Sequence, residues 1–224
     1  MTSSSSSNFK CQKCEDKGYI IVNRFPLITE ECDCEIQRRL QRRIKRSGLE
    51  ETMKRCTFDN FQTADKWQEA AKEKAAEYLS SPKGTWFFIG GQPGSGKTHL
   101  CTAICGEFIN RGVDMRYMKW RETMPRLKAA VNDTYEFNSI MDPLKTCKLL
   151  YIDDFLKGTV TDADINLAYE LINYRYNERL RTVISGERSI QDILSLDEAT
   201  GSRIFELAKG YVIQTPKNAN WRLK

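Results

Sequence analysis

The segment Gly91-Gln92-Pro93-Gly94-Ser95-Gly96-Lys97-Thr98 constrains the fold more than any other stretch of this 224-residue chain. It has the spacing G-x-x-x-x-G-K-T, follows the apolar run Thr85 to Ile89, and opens a stretch of helical character from Lys97 to Asn110. Strand, glycine-rich loop and helix in that order make a phosphate-binding loop. The glycines let successive backbone N–H groups curl inward as an anion nest. The helix aims the positive end of its dipole at the same point. Lys97 is then placed to reach the β- and γ-phosphates of a nucleotide, and Thr98 to hold magnesium through its hydroxyl. A chance match in a glycine-rich turn is the competing reading; the flanking strand and helix argue against it. His99, the only histidine, has no partner pattern and follows Thr98 as a helix residue; position alone groups it with the nucleotide-binding segment.

A phosphate loop needs carboxylates from a second strand. Leu149 to Ile152 is a buried-type apolar run ending in Asp153-Asp154, at the carboxyl end of a strand, where open α/β sheets bind ligands. Asp153 suits the magnesium shell. Asp154 suits polarising an attacking water, a position often filled by glutamate. No N-K-x-D segment for reading guanine is present, which favours ATP/ADP over guanine nucleotides. Further strands are expected at Met115 to Met118, Thr182 to Ser185 and Tyr211 to Gln214. Helices are expected at Asp65 to Leu79, Glu122 to Val131 and Asp197 to Ala208. Thr161-x-x-Asp164 is a capping box that opens another, running to about Leu180. Strands alternating with helices predict an α/β fold with a parallel five-stranded sheet covered on both faces.

Eight cysteines are present, and four cluster: Cys11-x2-Cys14, seventeen residues, then Cys32-x-Cys34. Each close pair can offer two thiolates from a tight turn, and Tyr19 to Val22 with a return at Pro26 makes the arm between them. Four sulfurs with no histidine nearby read as a closed, structural Zn2+ site. A redox-active C-x-x-C or an iron–sulfur cluster is the alternative. Cys56, Cys101, Cys105 and Cys147 sit in apolar contexts as small core residues. The start, Met1-Thr2 then Ser3 to Ser7, lacks a positive region leading into an apolar one, so a reducing, cytoplasmic setting is expected. No run of about 18 apolar residues exists, so a membrane span is not expected. Between Glu35 and Arg46 lie Arg38, Arg39, Arg42, Arg43, Lys45 and Arg46 against one acid, which accounts for the whole formal net charge of +5. That strip suits an acidic surface or phosphates; it also suits a solvated helix face with Ile36, Leu40 and Ile44 turned inward. The expected organisation is a serine-rich disordered tail over 1–8, a zinc-binding module with its basic helix over 9–50, and the nucleotide-binding domain over 51–224.

From Cys11 onward the chain resembles the bacterial and phage replicative-helicase loaders of the DnaC/DnaI type, AAA+ ATPases. The resemblance lies in the cysteine module, Phe58-Asp59-Asn60-Phe61, the phosphate loop, Tyr151-Ile152-Asp153-Asp154, Ile172-Asn173-Tyr174-Arg175 and Gly201-Ser202-Arg203-Ile204. Phage or prophage members from low-GC Gram-positive hosts are the most similar in look. The resemblance implies an ATPase that places a replicative DNA helicase on single-stranded DNA and self-assembles with ATP between subunits. It implies that Arg203 is an arginine finger reaching a neighbour's site, that Glu187 stands at the polar sensor position where asparagine is common, and that Arg222 is a second-sensor candidate. Two residues follow it in the sequence, so the separate helical lid that many AAA+ proteins carry is not expected. Phe58 to Phe61 would line the adenine side. The region Lys119 to Lys145 would touch single-stranded DNA, with Lys119, Arg121, Arg126 and Lys128 as charges and Trp120 as a stacking aromatic; a polar helix face with Trp120 packed inward is the alternative. The longer loaders carry a larger N-terminal helicase-binding domain; either the module over 9–50 does that job in reduced form, or the partner differs. An IstB-type transposition helper, or a zinc-dependent adaptor that binds ATP with little turnover, are the other functions such a chain can have.

Overall fold

The computed structural model describes residues 9–221; the expected serine-rich tail and Arg222 lie outside the described residues. The chain opens with a two-stranded antiparallel hairpin, β1 (Tyr19–Arg24) and β2 (Leu27–Glu31), followed by α1 (Asp33–Ser47). Gly48, at φ 80°, ends α1 in the left-handed conformation that glycine adopts freely. A single turn, α2 (Glu50–Met53), leads to α3 (Lys66–Tyr78), β3 (Phe87–Gly90) and α4 (Lys97–Asn110). Then come β4 (Met115–Lys119), α5 (Trp120–Ala129), α6 (Thr134–Thr146), β5 (Leu149–Asp153) and α7 (Asp162–Asn177). The described chain closes through β6 (Arg181–Ser185), α8 (Ile190–Leu196), α9 (Glu198–Leu207) and β7 (Val212–Gln214).

The five later strands form one sheet in the order β4-β5-β6-β3-β7, every neighbouring pair parallel. Strand residues alternate between two cores, as the pleat requires. Phe88, Leu150, Ile152 and Ile184 join Trp86, Trp120, Leu171 and Ile204 on one face. Phe87, Ile89, Leu149, Tyr151 and Val183 join Tyr78, Leu100 and Ile104 on the other. Burial on both faces explains why these strands are near-continuous apolar runs.

Because all five strands run the same way, their carboxyl ends share one edge of the sheet, and the segments after β3, β5 and β6 meet there. The α1 helix packs onto the second core through Leu40 and Ile44, and Arg43 pairs with Asp114 at 3.1 Å. Ile36, expected to turn inward with them, is instead exposed, because it lies on the hairpin end of α1. Trp120 corrects another expectation. It is 3% exposed and packs edge-on against Phe155 at 4.9 Å, so it belongs to the core and not to a stacking surface. No helix among the described residues is long and apolar enough to cross a membrane.

Candidate nucleotide site and metal centre

The phosphate loop is shaped by close approaches that only glycine allows. Gly91 has φ 116°, and a Cβ there would lie 2.5 Å from Thr215 Oγ1. Gly96 has φ 86°, and its Cβ would press the Phe61 ring at 3.1 Å. The loop is tied on both sides: Gly91 N–H donates to the Gly186 carbonyl after β6, and Trp221 N–H donates to the Gly94 carbonyl. Lys97 is buried, and its ammonium donates to the carbonyls of Gly91 (2.9 Å) and Gln92 (2.7 Å). Burial pulls its pKa down, against the pull of Glu187 and Asp154. The Ser95 hydroxyl is buried without a hydrogen-bond partner, so the loop holds an unused polar group.

Asp153, only 7% exposed, is where strand register brings separate elements together. Its Oδ1 accepts from Thr98 Oγ1 at 3.1 Å and from Tyr151 Oη at 2.9 Å. Ser185 Oγ donates to the same oxygen, while Tyr117 Oη donates to Oδ2 at 2.9 Å. Burial and the neighbouring Asp153 charge both push the Tyr117 phenol up, so it stays a donor. A hydroxyl and a carboxylate in contact, beside an anion nest, fit a hard divalent cation that takes oxygen ligands.

Asp154, the next residue, has φ 57°, an unusual left-handed position for a residue other than glycine. It faces a cavity of about 480 Å³. Pro93 through Thr98 line it together with His99, Phe61, Asp154, Lys157 and Glu187. His99 Nε2 is bonded to the Thr57 carbonyl at 2.8 Å, and its ring meets Phe61 edge-on at 5.3 Å. It therefore clamps the 57–61 segment to α4. Lys157 was missed by sequence reasoning. Its ammonium lies 3.1 Å and 3.2 Å from the two Asp154 oxygens and 2.9 Å from Glu187 Oε1. An acid followed three residues later by a lysine was the only local hint. Trp221, also on the cavity wall, carried no signal at all.

Arg203 is not among the residues lining this cavity. It lies on α9, where Nε donates to Asn173 Oδ1 (3.0 Å) and Nη1 to the Ala199 carbonyl (2.8 Å). The guanidinium lies over the rings of Tyr169 and Tyr176.

At the other end of the chain, the sulfurs of Cys11, Cys14, Cys32 and Cys34 lie within 4.8 Å of one another. Cys11 and Cys32 are 3.8 Å apart, Cys14 and Cys34 3.4 Å. A tetrahedral ion with metal–sulfur bonds of about 2.3 Å places its sulfurs about 3.8 Å apart, so the group fits. The hairpin folds the pairs together, and Cys32 caps α1. Asp16 holds the first knuckle by accepting from the N–H groups of Lys10 and Cys11. The Cys14 backbone N–H draws the Cys11 thiol down to about 7, whereas the bond to the Cys14 thiol pushes Cys34 up to about 12. A metal takes these sulfurs as thiolates, so its binding would release their protons.

Fold and site together define a P-loop nucleotide-binding protein with an AAA+ domain. The family model described as "IstB-like ATP binding protein" matches residues 10–198, and the chain belongs to that family. The phage-like element PBSX protein XkdC of Bacillus subtilis (strain 168) is 30% identical over 225 residues, 94% of this chain and 84% of that protein. The replicative helicase loader DnaC of Escherichia coli (strain K12) is 25% identical over 175 residues, 75% of this chain and 69% of that one. A solved structure of the DnaC helicase loader has the same fold, with a TM-score of 0.65 at 21% identity over 72% of this chain and 97% of that one. The kinship with DnaC-type loaders and phage elements expected from the motifs therefore holds.

Proposed function

We propose that this protein is an ATPase that loads a replicative DNA helicase onto single-stranded DNA. The observation that carries the reading is the contact of Thr98 with Asp153 beside the phosphate loop, with Asp154 facing the same cavity. Lys97 would leave its loop carbonyls for the β- and γ-phosphates, and Thr98 and Asp153 would hold magnesium. The cation would supply charge neutralisation on the phosphates when bound. Asp154 would accept the proton-bearing side of a water aimed at the terminal phosphate, with Glu187 sensing that phosphate from the end of β6. Arg203 would complete the site of a neighbouring copy.

The helicase contact is assigned to the module over 9–50, with zinc in its four-cysteine site. Phe25 is 90% exposed and Leu27 69%, and Ile21, Val22 and Ile28 are open beside them. An apolar arm of this kind on a metal-stapled hairpin is a docking surface. Arg121 and Arg126, exposed on α5, offer charge to single-stranded DNA. The test is a loading assay on circular single-stranded DNA with purified replicative helicase, ATP and magnesium. Helicase transferred only in the presence of this protein and ATP supports the reading; no capture of the helicase sinks it. The IstB-like family model favours one second reading, a transposition helper, which should capture a transposase in place of the helicase.

A further inference from the structure

The turn after β5 is built to aim one lysine. Asp154 and Leu156 both have left-handed backbones, at φ 57° and 52°, and Gly158 follows at φ 90°. Three such positions within five residues are strained for the two that are not glycine, and strain of this kind persists only where the surroundings impose it. They do so here. Phe155 is sunk in the core, with its N–H on the Ser185 carbonyl. Arg188, beyond β6, donates to the carbonyls of Leu156 (2.8 Å) and Gly158 (3.0 Å). Between these anchors Lys157 projects into the nucleotide cavity and lies against both oxygens of Asp154 and one of Glu187.

That arrangement has a chemical consequence. With one ammonium across both Asp154 oxygens, the carboxylate proposed to polarise water is already occupied. Lysine is a compact charge on a flexible stem, so its head can change partners while the backbone stays fixed. A terminal phosphate entering the same cavity is the stronger anion and competes for it. We infer that Lys157 exchanges its two carboxylates for the terminal phosphate of ATP, so that one ammonium both favours ATP over ADP and releases Asp154 to act. While the head lies on the carboxylates, the hydrogen bond to Glu187 raises the Lys157 pKa. The inference rests on reading this cavity as an ATP site, and it adds a residue with no part in the phosphate-loop motif.

The experiment compares ADP with a non-hydrolysable ATP analogue, both with magnesium, by calorimetry on the full chain. Lys157→Met keeps the apolar stem and should bind the analogue about 10- to 100-fold more weakly, the loss of one charge-assisted hydrogen bond, while ADP affinity stays within about twofold. Lys157→Arg keeps the charge and should retain part of the discrimination. Equal losses for both nucleotides, or no loss for either, overturn the inference and leave the ATP site standing. Wild type that binds neither nucleotide overturns the ATP-site reading and this inference with it.

Discussion

Lys97 and Asp154 both line one cavity, and the proposed chemistry gives them separable tasks. Lys97→Ala removes the charge that opposes the β- and γ-phosphates and should abolish nucleotide binding; ATP affinity unchanged in calorimetry would count against the whole assignment. Asp154→Asn should bind ATP and release no phosphate, since it loses water polarisation and leaves Asp153 with Thr98. Normal phosphate release by that variant would mean that the two aspartates have been given the wrong roles. Arg175 works differently, although it too belongs to a segment singled out in the sequence. It is fully buried. Its guanidinium donates to the carbonyls of Leu144, Lys145, Cys147 and Arg181 and to Thr182 Oγ1, stapling the approach to β5 to the approach to β6. Arg175→Met should orphan those carbonyls and lower stability by about 3 kcal/mol or more, read by chemical denaturation. A loss below about 1 kcal/mol would show that the carbonyls find other partners.

At the scale of elements, the four-cysteine hairpin and the central sheet differ in how much apolar surface they bury. The exposed residues of β1 and β2 bury little apolar surface, and a two-stranded hairpin alone is marginal in water. We propose that a zinc ion on the four sulfurs is what fixes it. Native mass spectrometry should find one zinc per chain, and the double variant Cys11→Ser with Cys14→Ser should lose it. The sheet, with its own two cores, should stay folded in that variant while helicase capture falls; an apo protein that captures helicase normally would leave the module without the role proposed for it. Much of this was legible in the sequence. Strands such as β3 and β5 announce themselves as apolar runs because both their faces are covered, and α7 announces itself through Thr161 and Asp164. The α8 helix carries the same box in Ser189 and Asp192. It passed unnoticed because its seven residues are too few to show a period. The partners of Asp153 were illegible for another reason. Tyr117 and Ser185 reach it through the pairing of β4, β5 and β6, a register that no local pattern encodes. Trp120 was open to two readings because an aromatic beside basic residues looks the same whether it faces solvent or the core.

The whole molecule gathers its candidate chemistry at one edge of the sheet but leaves Arg203 outside the cavity of its own chain. Arg203 stands on the α7–α9 face, over the exposed ring of Tyr169, the kind of surface a second copy can cover. If it completes a neighbour's site, Arg203→Ala should bind ATP and hydrolyse it poorly. Such fingers are worth roughly 10³–10⁵ in rate in other phosphoryl-transfer systems. Asp154→Asn should be equally inactive, but from the opposite side of the subunit interface. Mixing the two variants creates some interfaces where an intact Asp154 meets an intact Arg203. Activity should therefore return in the mixture and rise with the chance of forming that pairing, under conditions that promote assembly, with helicase or single-stranded DNA added. A mixture that stays inactive while wild type turns over beside it removes the trans role. Arg203→Ala running at the wild-type rate would leave the guanidinium with only its visible task, holding α9 against α7 through Asn173 and the two tyrosine rings.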